Sequence, residues 1–191
     1  MQTRFSLGID LGTSNCAMAV TDLETDRTEV LSVTQILAAN QLGERPTMAS
    51  AVYLPHPDEF PAGSFPLPWN DNAMPGIVGQ FARDHGALVP DRLVTSAKSW
   101  LSNPHIDPKQ RTLPWRSESA EEKLSPFGVS CRYLQHLKNA FLHAAQLQGR
   151  HRRTVRARPR RSCARPPGDF SQVLAVQPAY RSKAAHTTLA L

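Results

Sequence analysis

Near the start of the chain, Ile9-Asp10-Leu11-Gly12-Thr13-Ser14-Asn15-Cys16-Ala17-Met18-Ala19-Val20 gathers residue types suited to holding phosphate. Asp10 closes one apolar run, Gly12, Thr13 and Ser14 follow, and Asn15 opens a second run of small apolar residues. A turn between two strands can aim successive backbone N–H groups into one concavity, and such a nest binds phosphate oxygens. Gly12 lets the backbone approach the ligand with no side chain between them. Thr13 and Ser14 add hydroxyl donors. Asp10 can hold Mg²⁺ through water, because that ion keeps much of its hydration shell. The P-loop solution needs Gly-Lys-Ser/Thr at the opening of a helix, and the chain contains no such run. The three cysteines, Cys16, Cys131 and Cys163, show no C-x-x-C pairing and no histidine at metal-ligand spacing. They read as reduced, mostly buried thiols.

The elements that would position this turn follow from patterning. Residues 5–10 and 16–21 read as short strands, and 29–33 as a third, with a polar turn at 21–26. Together they form a meander. A further strand is expected at 51–54. Residues 55–76 hold six prolines and two glycines and read as a long loop. Residues 79–87 suit a short helix, and 94–101 an apolar segment around Lys98. The best helix begins after Ser125, a fair N-cap, with Pro126 at its first position. Val129, Tyr133, Leu137, Phe141 and Ala145 recur every four residues on one face. Gly149 suits the C-terminal stop.

The net charge of +6 is unevenly spread. Residues 1–149 are net −3, whereas 150–191 are net +9, with eight arginines and no acid between 150 and 165. The basic character therefore belongs to the tail and says nothing about the partner of the preceding domain. Charge and proline content predict that the tail is poorly ordered. A nucleic-acid-binding arm is the sharper reading of those arginines, but no aromatic residue is interleaved and no recognisable module is present, so nucleic acid is not the expected partner. No stretch reaches the roughly 20 apolar residues of a membrane span. Asp10 interrupts the first apolar run before a signal-peptide core forms. The expected location is the cytoplasm.

Gly8-Ile9-Asp10-Leu11-Gly12-Thr13-Ser14-Asn15-Cys16 resembles the first phosphate motif of the heat-shock-70 (DnaK-type) chaperones, within the actin and hexokinase superfamily. Three further segments agree in order and approximate spacing. Arg45-Pro46-Thr47-Met48-Ala49-Ser50-Ala51-Val52 resembles the family's Pro-Ser-x-Val strand. Gly79-Gln80-Phe81-Ala82-Arg83 resembles its Gly-x-x-Ala-Lys/Arg helix, and Ser96-Ala97-Lys98-Ser99-Trp100-Leu101 its Ala-Lys-Arg-Leu segment. The resemblance covers about residues 4–145, with the proline-rich insert at 55–76 as its main departure. It implies an α/β fold, the first lobe of an actin-like (ribonuclease H-like) ATPase domain, with a mixed sheet over residues 4–54. It implies ATP and Mg²⁺ as cofactors. Gly12, Thr13, Ser14 and Asn15 would contact the phosphates, Asp10 would sit near the metal, and Lys98 would match a lysine that orients the attacking water.

The family's second phosphate motif, Asp-x-Gly-Gly-Gly-Thr, and its adenosine-binding glycine motif are absent from these 191 residues. So is its substrate-binding domain. Unfolded clients and co-chaperones are therefore expected only of a full-length relative. After Gln148 the family has a strand of the form Val-x-x-x-Val-Pro-Ala, where this chain reads His151-Arg152-Arg153-Thr154-Val155-Arg156-Ala157-Arg158-Pro159-Arg160-Arg161. Arg, Pro and Ala dominate GC-rich coding sequence read out of frame, so a frameshift near residue 150 is expected. A sugar-kinase-like member of the same superfamily is the alternative reading. It also opens with Asp-x-Gly-Thr, but the Ala97-Lys98 segment argues against it.

Overall fold

The computed structural model describes residues 5–69, 76–117, 123–147 and 186–190. Over these the chain is mixed α and β, with three antiparallel sheets and three α-helices among the described residues. The first strands, β1 (Phe5–Leu11) and β2 (Asn15–Asp22), form a hairpin in which Leu7 faces Val20, Ile9 faces Met18 and Leu11 faces Cys16. Period-2 alternation buries these six side chains on one face. Asp10 and Ala17 face each other across the ladder on the opposite side. A polar turn leads to β3 (Arg27–Leu31), which continues the meander on the far edge of β2. There the Asp22 carboxylate accepts the Glu24 N–H at 2.9 Å and Asp26 takes a positive φ of 54°.

A second hairpin, β4 (Val33–Ala38) and β5 (Gln41–Arg45), follows, turning at Asn40 with φ 58°. It is not anticipated by the sequence reading, which runs the third strand through to Val33. The strands break at Ser32, and β4 pairs with β5 instead. Next, β6 (Met48–Ala49) returns to β2, pairing Asn15 with Ala49 and Cys16 with Met48. The third sheet has β7 (Ala51–Tyr53) at its centre, flanked by β8 (Ile77–Val78) and β9 (Leu93–Thr95).

The expected mixed sheet over residues 4–54 is thus corrected. Every strand pairing among the described residues is antiparallel. Short turns join β1 to β2, β2 to β3 and β4 to β5, and a parallel pair would need a long crossover connection.

The helices are α1 (Gln80–Gly86), α2 (Ala97–Leu101) and α3 (Pro126–Leu147). The Ser125 hydroxyl accepts the Gly128 N–H at 3.0 Å, the N-cap bond that the Ser-Pro start predicts. Val129, Tyr133 and Leu137 are buried as the four-residue period requires, but the seam continues at Ala140, with Phe141 only partly buried. A helix turns 100° per residue, so a strict spacing of four drifts off the contact line and a step of three restores it. These residues pack on the core face of β1 and β2 with Met48, Val52 and Val94. A second cluster places Tyr53, Ile77 and Phe81 against Phe60 and Phe65 from the proline-rich loop.

The last strand, β10 (His186–Ala190), lies antiparallel to the free edge of β1, pairing Ser6 with Ala190 and Asp10 with His186. No strand is foreseen there from sequence. The arginine-rich tail, Gly149 and Cys163 lie outside the described residues.

Candidate functional site

The segment singled out for phosphate chemistry is the four-residue connection between Leu11 and Cys16 in the β1–β2 hairpin. Thr13, Ser14 and Asn15 are exposed, while Gly12 is half-buried. A side chain at Gly12 has no room, because a Cβ there would collide with the Asn15 carbonyl oxygen. The glycine is therefore required by the turn itself as well as by any ligand.

The turn is fastened from behind by Ser50, which stands between β6 and β7. The Ser50 N–H donates to the Ser14 carbonyl at 3.0 Å, and the Ser50 hydroxyl donates to the Gly12 carbonyl at 2.8 Å. The Cys16 Sγ lies 3.2 Å from the same hydroxyl oxygen. Cys16 is fully buried. Burial pushes its thiol pKa up, opposed by smaller effects of its contacts with Ser50 and the Gly12 backbone. The thiol therefore stays protonated at neutral pH and is not a nucleophile.

Asp10 and Lys98 both act on this region. Asp10 is half-buried on β1, one residue before the turn's first strand ends. Lys98 is half-buried on α2, behind the buried Ala97. Both charges reach the Cys16 thiol with opposite effect, Asp10 raising its pKa and Lys98 lowering it.

A further cation, from the Gly79–Arg83 segment, reaches the turn. From α1, the Arg83 guanidinium Nη1 reaches the Asn15 side-chain oxygen at 3.4 Å, while its Nη2 donates to Gln80 Oε1 at 2.8 Å. Its sequence signal is the final position of the Gly79–Arg83 segment. From that position a side chain on the first turn of α1 points back toward the hairpin.

Buried Gln35 on β4 sets where α1 begins. Its Oε1 accepts the Gln80 N–H at 2.9 Å, and its Nε2 donates to the Thr47 carbonyl at 3.0 Å. Gly79 before the helix has φ 97°, and a Cβ there would lie 2.7 Å from Gln35 Oε1, so only glycine fits. The far end of α1 is tied to the loop. Glu59 accepts the Tyr53 hydroxyl at 2.6 Å, His85 Nε2 at 2.8 Å and the His56 N–H at 3.0 Å. Partial burial alone would raise the Glu59 pKa, but these hydrogen bonds outweigh it and hold the carboxyl below its ordinary value.

Among the described residues, no three His, Cys, Asp or Glu side chains cluster as a metal cage. A lone carboxylate such as Asp10 fits Mg²⁺ delivered together with phosphate, since that ion is commonly held by one or two carboxylates plus substrate oxygens and water. No helix of the described residues is long and apolar enough to cross a membrane. A separate groove of about 260 Å³ is lined by Pro90, Thr95, Trp100, Leu113, Trp115 and Arg116, among others. None of the turn residues lines it.

Comparison with family models, curated proteins and solved structures finds no match to this chain.

Proposed function

We propose that the Gly12–Asn15 turn is a phosphate-binding nest, and that the chain is the phosphate-holding part of a heat-shock-70-like, actin-type ATPase lobe. The observation that carries this reading is the meeting of an exposed, glycine-dependent hairpin turn with the guanidinium of Arg83 at Asn15. Backbone N–H groups supply directional donors and Arg83 the planar, always-charged fork suited to phosphate oxygens. Lys98 adds positive charge from α2, and Asp10 is the carboxylate that would hold Mg²⁺ through water. When bound, that ion would neutralise phosphate charge. This chain's own groups orient the phosphates. The order of the four matching segments, covering residues 45–52, 79–83 and 96–101 besides the turn, supports the family assignment.

Isothermal titration with Mg-ATP tests the reading. Binding is expected at about millimolar affinity or weaker, because these residues contain no adenosine motif. Gly12→Ala should abolish it and Arg83→Ala should weaken it about tenfold, the loss of one charge-assisted contact. Unchanged heats in both variants would remove the turn from consideration.

A further inference from the structure

The two hydrogen bonds from Ser50 have a directional effect on the turn. In a trans peptide the C=O and N–H point in opposite directions. Ser50 Oγ draws the Gly12 carbonyl toward β6, which turns the Thr13 N–H away from β6. The Ser50 N–H draws in the Ser14 carbonyl, which turns the Asn15 N–H the same way. Two acceptors that would repel an anion are thereby engaged by Ser50.

We propose that Ser50 is the positioning residue of this turn, holding the Thr13 and Asn15 amides toward a phosphoryl ligand. The proposal rests on the phosphate reading above. Cys16 supports Ser50 from the buried side. A serine hydroxyl has one proton to donate, and Ser50 spends it on Gly12 at 2.8 Å. At 3.2 Å, the Cys16 S–H is therefore the donor to Ser50 Oγ. The result is a relay from Cys16 S–H to Ser50 O–H to the Gly12 carbonyl. Ser50 is itself buried, at 3% exposure, so water is not at hand to replace either bond. Ser50 touches no ligand in this arrangement. It acts through the backbone.

The test is amide NMR of the full chain titrated with Mg-ATP, on wild type, Ser50→Ala and Ser50→Thr. In wild type the Thr13 and Asn15 amides should move most. Ser50→Ala should weaken binding about tenfold and shrink the movement of those two amides, whereas Ser50→Thr, which keeps the hydroxyl, should stay within about threefold of wild type. Wild-type binding with Ser50→Ala unchanged overturns the positioning role and leaves the phosphate reading standing. Absence of binding in wild type overturns both. Should Ser50→Ala fail to fold, Cys16→Ser and Cys16→Ala take its place. The serine keeps a donor and should preserve affinity. The alanine should lose about threefold, and equal affinities overturn the relay.

Discussion

At the scale of single residues, the turn depends on atoms that are missing as much as on atoms that are present. Gly12→Ala would push a Cβ into the Asn15 carbonyl, and relief requires opening the hairpin. A loss of about 1–3 kcal/mol in urea-induced unfolding is expected. Glu59 gives a pH-dependent counterpart. Its carboxylate is held below its ordinary pKa of 4.5 despite partial burial, by bonds from Tyr53, His85 and the His56 backbone. A group with a lowered folded pKa contributes its stability in full above the unfolded value, and that stability is lost as pH falls through the folded value. The wild-type melting temperature should therefore fall as pH drops below 4.5, and Glu59→Gln should show a shallower fall over the same window. Parallel curves for the two proteins would show that Glu59 is not the group responsible.

At the scale of elements, α1 is a short helix with an important cargo, Arg83, and Gln35 fixes its start. Gln35→Leu removes the acceptor from the Gln80 N–H and the donor to the Thr47 carbonyl. We expect a loss of about 1–3 kcal/mol in unfolding free energy, together with weaker Mg-ATP binding through a displaced Arg83. By contrast, Ser125→Ala removes the α3 cap and should cost about 1 kcal/mol with no effect on ligand. What was readable in advance divides along physical lines. The β1–β2 hairpin and its turn were legible because Leu7, Ile9, Leu11, Cys16, Met18 and Val20 alternate cleanly and the break between them carries a glycine. The start of α3 was legible from Ser125-Pro126. The β4–β5 hairpin was not, since its turn rests on Asn40 in a left-handed conformation and its only fully buried polar residue, Gln35, looks like a surface side chain until its three partners are known. Arg83 and Ser50 stood in matching segments, but their contacts with the turn were not legible there. Their roles arise from contacts 68 and 38 residues away in sequence, which no local pattern encodes.

At the scale of the molecule, the proposed phosphate-binding turn is open on one side among the described residues. Thr13, Ser14 and Asn15 all face solvent, so a bound phosphoryl group would be wet on its outer side. Transition-state charge is stabilised strongly only in an organised, water-excluded cleft. Steady-state phosphate release from Mg-ATP by this chain should therefore be no faster than buffer, and Lys98→Ala and Asp10→Asn should leave that baseline unchanged. Turnover that both substitutions abolish would mean that the chain closes the site by itself.

The paired indoles of Trp100 and Trp115, stacked 5.3 Å apart at 23° to each other, make the protein its own optical instrument. Two chromophores that close share their excited states, so the pair should give a distinctive near-ultraviolet dichroic band whose strength follows their spacing and tilt. Trp100 rides on the same short helix as Lys98, while Trp115 lies in the following loop. Any ligand that pulls on Lys98 would retune that band, and an unlabelled sample in a spectropolarimeter would report it.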